Sequence, residues 1–128
     1  MRRNKYNVAP AEQRKAFGRT FASKAEKEYA ERLQKLLEHR IIAEWIPQPV
    51  VGMLGCPENI YKPDFLVIPS PEDERFPYFV EVKGRETASW KKNKKLWLQY
   101  GRLELVVVKK SGKSFVEAET ITPKGLQL

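Results

Sequence analysis

Residues Leu103 to Lys109 read Leu-Glu-Leu-Val-Val-Val-Lys, an almost continuous apolar run of the length of a strand and rich in β-branched side chains. Such a run marks a strand buried on both faces. A strand of that kind needs a packed layer on each side. In a chain of 128 residues, which is long enough for one core and too short for two, the economical solution is a single sheet with helices over it.

Two segments qualify as those helices. Ser23-Lys24-Ala25-Glu26 reads as a capping box, with Ser at N-cap and Glu three residues on, and Tyr29, Ala30, Leu33, Leu36 and Leu37 follow at helical spacing. A helix from Ser23 to about His39 is expected. The second runs from Ser89 or Trp90 to Tyr100, where Gly101 stops it; Trp90, Asn93, Trp97 and Tyr100 form its inward stripe. Further strands are expected at Ile41 to Ile46, Ile60 to Ile68, Tyr78 to Lys83 and Ser114 to Ala118, with Pro47-Gln48-Pro49 as an interruption and Gly52 to Asn59 as a loop. Residues 1–22 read as a basic arm, with a short helix beginning at Pro10 and stopped by Gly18, and residues 23–128 as one α/β domain built on a small mixed sheet flanked by helices.

Charge and single residues exclude several chemistries. Twenty-four Lys and Arg against 16 Asp and Glu give a net charge of +8, which favours nucleic acid as the partner. No stretch approaches the roughly 20 apolar residues of a membrane span, and the amino terminus lacks an apolar signal core, so a cytoplasmic protein with no membrane partner is expected. One cysteine, Cys56, rules out an internal disulfide and an all-cysteine metal site, and reads as a small loop residue. The only histidine, His39, falls at a helix end.

Pro63-Asp64 on one expected strand and Glu81-Val82-Lys83 on the next bring two carboxylates and a lysine within reach of one point. Alternation sends Phe79, Glu81 and Lys83 to one face and Val80 and Val82 to the other. Mg²⁺ prefers hard oxygen ligands and is usually held by one or two carboxylates plus water and substrate phosphate. A lysine beside it can orient or deprotonate an attacking water. The competing reading is a surface ion pair on a hairpin.

Glu26 lies in the middle of the apolar stripe of the first helix, while Glu28 and Lys35 lie opposite. An inward carboxylate needs a partner, either a metal site or the capping bond to the Ser23 amide. Glu28 with Arg32 and Glu31 with Lys35 have the spacing of exposed helix pairs. Glu72-Asp73-Glu74, bounded by prolines, reads as a solvated turn.

Tyr61-Lys62-Pro63-Asp64-Phe65-Leu66-Val67-Ile68 followed by Tyr78-Phe79-Val80-Glu81-Val82-Lys83-Gly84 resembles the PD-(D/E)XK nuclease superfamily, and most closely its small phage-encoded endonucleases and Holliday junction resolvase-like members. The resemblance runs from about Phe17 to Val108 and rests on the order of elements. It implies a restriction-endonuclease-like core and Mg²⁺-dependent hydrolysis of DNA phosphodiesters, with Mn²⁺ able to substitute. It also implies that Asp64 and Glu81 bind metal, that Glu26 completes the metal environment through the match of Phe21 to Glu26 with the first motif, and that Lys83 acts on water. Gln99 corresponds to a glutamine of some relatives, though its expected face is outward.

Lys91, Lys92 and Lys95 are expected outward on the second helix and Lys94 near its stripe; with Arg85 they form the expected DNA contact. A solvated lysine face is the alternative. Because resolving a four-way junction takes two symmetric nicks and this chain holds one site, a homodimer acting on branched DNA is expected, with Val50, Val51, Met53 and Leu54 as candidates for the contact or for cover of the chain's own core. A duplex nicking enzyme and a non-catalytic recombination accessory protein are the other readings.

Overall fold

The computed structural model describes residues 8–53, 56–84 and 86–126, with the side chains of 53 and 56–59 left aside. Its strands are β1 (Lys15–Ala16), β2 (Arg19–Thr20), β3 (Ile42–Pro47), β4 (Val51–Met53), β5 (Cys56–Tyr61), β6 (Phe65–Pro69), β7 (Tyr78–Val82), β8 (Leu105–Ser111) and β9 (Ser114–Ile121), and its helices are α1 (Lys24–Glu38) and α2 (Ala88–Tyr100). A mixed five-stranded sheet in the order β3-β6-β7-β8-β9 forms the centre. All its neighbours are antiparallel except β7 and β8, whose parallel pairing is joined through α2.

The apolar run does occupy a strand covered on both faces: Leu105, Val106, Val107 and Val108 are all buried. Val106 and Val108 pack with Val80, Val82, Phe65 and Val67 beneath Tyr29, Ala30 and Leu33 of α1. Leu105 and Val107 pack with Phe79 beneath Trp97 of α2. Each such side chain contributes about 1.5–3 kcal/mol relative to exposure, so loss of either helix would uncover one whole face.

Local chemistry sets the helix ends. Ser23 Oγ accepts the Glu26 N–H at 3.0 Å, and the N-cap of α2 is Thr87, one residue before the expected start, whose Oγ1 accepts the Trp90 N–H at 3.1 Å. Helix α1 closes without glycine: Arg40 takes φ 59°, and the Arg40 and Ile41 amides bond back to Leu37 and Leu36 at 3.0 and 2.9 Å, the Schellman pattern. At Gly101 φ is −63°, so conformational freedom is not the reason for glycine there. A Cβ would instead stand 2.7 Å from Trp97 Nε1 and from the Trp97 carbonyl oxygen.

Three expectations are corrected. The strand drawn from Ile60 to Ile68 is two strands, β5 and β6, because Pro63 has no N–H to continue a ladder; Asp64 therefore stands in the break before β6 rather than on a strand. The loop drawn from Gly52 to Asn59 carries the β4-β5 hairpin, and Cys56 opens β5. Glu28 pairs with Lys110 and Glu31 with Lys27, not with Arg32 and Lys35.

Residues 8–22 hold a short 3-10 helix, Ala11–Arg14, and the β1-β2 hairpin, turned by Phe17 and Gly18 at φ 53° and 73°, a type I′ geometry. Phe21 is buried in the core under α1. Val51 packs against the α2-side core, whereas Val50 is exposed; the side chain of Met53 and all of Leu54 lie outside the described residues. Among the described residues, no helix is long and apolar enough to cross a membrane.

Candidate active site

Pairing of Phe65 with Val80 across β6 and β7 brings Asp64, one residue before, opposite Glu81, one residue after. Asp64 is only 9% exposed. Its Oδ2 accepts the Val82 N–H at 2.7 Å, and its carbonyl oxygen accepts the Gln48 N–H at 2.8 Å. The break at Pro63 thus turns the aspartate into the sheet end and holds it there from two sides.

Asp64 lies close enough to both other acids of the expected site, Glu81 and Glu26, for each to shift its proton affinity. Glu26, in the first turn of α1, lies within the influence of Asp64 and of the Ala22 backbone. Among the described hydrogen bonds the capping contact is the Glu26 N–H to Ser23 Oγ, and the Glu26 carboxyl is turned to the acidic cluster instead of the Ser23 amide. Glu81 Oε1 accepts a hydrogen bond from the hydroxyl of Tyr61.

Burying three carboxyls together disfavours their charged forms. Burial first, and then the charge of Asp64, pushes Glu26 up to about 8. Burial and the neighbouring Glu81 raise Asp64 well above the usual carboxylate range, against the lowering effect of the Val82 N–H. Burial raises Glu81 to about 6, with Tyr61 and Asp64 acting the other way.

A divalent cation would offset the charge of these acids once they ionise. Among the described residues no three His, Cys, Asp or Glu side chains form a ready-made metal cage. The donor set nevertheless fits Mg²⁺, which needs only one or two carboxylates beside water and phosphate oxygens. Asp64 and Glu81 would hold it, each with one oxygen already bonded to a protein donor, and Glu26 would act beside Asp64.

Lys83 follows the end of β7, is exposed, and donates its backbone N–H to Val108 at 2.7 Å. With Glu81, Glu86, Thr87 and Trp90 it lines a cavity of about 150 Å³, so Glu81 and Lys83 share one opening, as the alternation of the strand requires. The sequence pattern gives no site role to Lys109 or to Tyr61. The parallel register of Glu81 with Val107 and Val82 with Val108 carries Lys83 alongside Lys109, an exposed lysine on the same face. Parallel pairing of β7 with β8 is the information that the sequence pattern lacked.

Helix α2 leaves this cavity. Lys91, Lys92 and Lys95 are exposed, and Lys94 is half-buried with its ammonium 2.7 Å from Glu119 of β9. A groove of about 590 Å³ between α2 and β9 is lined by Lys91, Lys94 and Lys95 with Leu98 and Glu119. Glu86 borders both this groove and the Lys83 cavity. Arg85 lies outside the described residues, and Gln99 is exposed. Glu72, Asp73 and Glu74 are exposed on their turn, at the opposite end of β6 and β7 from Asp64.

In comparison with known proteins, the chain matches no family model and no curated sequence.

Proposed function

We propose that this protein is a metal-dependent endodeoxyribonuclease with a restriction-endonuclease-like core, of the PD-(D/E)XK kind. The observation that carries the reading is the buried Asp64, held by the Val82 N–H beside Glu81 and Glu26, with Lys83 lining the same cavity as Glu81. The order of helix, antiparallel strands, crossover helix and parallel strand supports the fold assignment.

Asp64 and Glu81 bind Mg²⁺, for which Mn²⁺ can substitute, and Glu26 supports Asp64. When bound, the ion stabilises charge on the phosphate and lowers the pKa of water. Lys83 orients the attacking water or takes its proton. Lys109 beside it adds positive charge over the phosphate, and Lys91, Lys92 and Lys95 attract the flanking backbone. A non-catalytic DNA-binding module would have no use for three acids gathered where a polyanion is to lie.

The substrate is branched DNA and the working form a symmetric dimer in the cytoplasm, because one site per chain must make two symmetric nicks in a four-way junction. Labelled linear, nicked, flapped and four-way DNA incubated with the protein in Mg²⁺ and in EDTA tests this. Mg²⁺-dependent cutting with preference for the junction is expected. Equal nicking of linear duplex would remove the junction assignment, and no cutting of any substrate would remove the nuclease one.

A further inference from the structure

Tyr61 ends β5 immediately before the break that delivers Asp64, and it is buried. Its ring lies 5.9 Å from that of Trp97 and 6.4 Å from that of Trp90, so the side chain is wedged beneath α2. Packing alone would be met by phenylalanine. The hydroxyl, in contrast, has one acceptor here, Oε1 of Glu81, and a buried hydroxyl deprived of its acceptor would cost about 1–3 kcal/mol.

The bond to Tyr61 parallels the one at Asp64. There the Val82 N–H occupies Oδ2; here the phenol occupies Oε1 of Glu81. Each carboxylate is fixed through one oxygen by a rigid donor, which sets the direction of its other oxygen. Partners of this kind set the orientation of metal-binding carboxylates, and their loss typically lowers metal affinity or activity about 10–100-fold.

We propose that Tyr61 is a positioning residue for the metal ion, acting through Glu81: it holds the Glu81 carboxylate in its orientation next to Asp64. This rests on the nuclease reading, which requires the ion. Trp90 and Trp97 serve the same end by fixing the phenol ring.

Mn²⁺ binding to the full chain, followed by electron paramagnetic resonance, tests the role without relying on catalysis. Tyr61→Phe keeps the ring between the tryptophans and removes only the donor. Its Mn²⁺ dissociation constant should rise about 10–100-fold, its Mg²⁺ requirement for cutting should rise in step, and DNA affinity in EDTA should stay as in wild type. Saturating Mg²⁺ should restore most of the cutting rate, which a merely unfolded variant could not show.

In a Glu81→Gln background, the same Tyr61→Phe change should add little to the loss of Mn²⁺ affinity, because the phenol acts through Glu81. Wild-type Mn²⁺ affinity in Tyr61→Phe, or full additivity with Glu81→Gln, overturns the role of Tyr61 while leaving the nuclease assignment intact. Absence of both Mn²⁺ uptake and DNA cutting in the wild-type chain would overturn the nuclease assignment itself.

Discussion

Asp64 and Val82 are joined across the β6-β7 pair by a 2.7 Å hydrogen bond from main-chain N–H to carboxylate. The donor is the residue between Glu81 and Lys83, so the aspartate grips the backbone of the motif it has to work with. Any shift of β7 would move Glu81 and Lys83 relative to Asp64 only by breaking that bond. Asp64 and the Glu81-Lys83 pair, far apart in the chain, thereby behave as one rigid unit.

Lys83, in the cavity it lines with Glu81, predicts a loss of turnover larger than a loss of binding. Lys83→Ala should lower the single-turnover cleavage rate about 10²-fold or more, within the range of general acid-base effects, while leaving Mn²⁺ affinity near wild type. Lys83→Arg should rescue poorly, because guanidinium is bulkier and stays protonated in proteins. Full activity in the Arg variant would reduce Lys83 to a supplier of charge.

The raised carboxyls predict a pH dependence of the metal-free protein. Glu26 goes from an ordinary 4.5 to about 8 in the folded chain, so between those values the folded state binds more protons than the unfolded one. Its contribution to stability is complete below about pH 4.5 and is lost as pH rises through about 8. Melting temperature in EDTA should therefore fall across that window, and Mg²⁺ should raise it more at pH 8 than at pH 5. Glu26→Gln keeps an acceptor beside the Ala22 backbone but cannot titrate; it should flatten the fall and raise the Mg²⁺ requirement. A melting curve with unchanged pH dependence and an unchanged metal requirement would leave Glu26 as a helix cap.

Lys91, Lys92 and Lys95 changed together to Ala should weaken binding to every DNA sequence. Each lost phosphate contact should reduce the slope of log affinity against log salt by about 0.9 for duplex. Lys94, tied to Glu119, should contribute less than its neighbours when changed alone. Salt titrations of gel-shift affinity in EDTA measure both, and an unaltered slope in the triple variant would make this face solvent-bearing only.

Gly101→Ala is a prediction about stability. The added Cβ meets the Trp97 ring and carbonyl at 2.7–2.8 Å, and Trp97 is fully buried with its Nε1 bonded to the Leu103 carbonyl at 2.9 Å. Displacing that ring should cost about 1–3 kcal/mol, the range of overpacked cores, visible in a denaturant melt. A neutral effect would mean that the end of α2 can yield.

The sequence carries the parts of this molecule that depend on periodicity. The α1 stripe, the alternation in Tyr78 to Val82, and the doubly buried Leu105 to Val108 all follow from apolar spacing and hold in the structure. What it concealed depends on backbone geometry and on distant partners. The break at Pro63 was hidden because apolar residues continue on both sides of it, and the turn at Arg40 because no glycine announces its φ of 59°. Lys109 and Tyr61 enter the site only once strand order is known, since nothing within β8 or β5 points toward Glu81. The pairing of Glu28 with Lys110 likewise spans two elements, which helix spacing cannot anticipate.

Asp64→Asn and Glu81→Gln, compared with wild type on the same four-way DNA by cleavage and gel shift from one preparation of each, test the assignment most directly. Both substitutions remove a charge proposed to bind metal and retain shape and hydrogen-bonding capacity, and neither residue attracts phosphate. Mg²⁺-dependent cutting by wild type, loss of cutting in both variants and equal or tighter DNA binding by them is the predicted result. Wild-type cutting by either variant would contradict the carboxylate site.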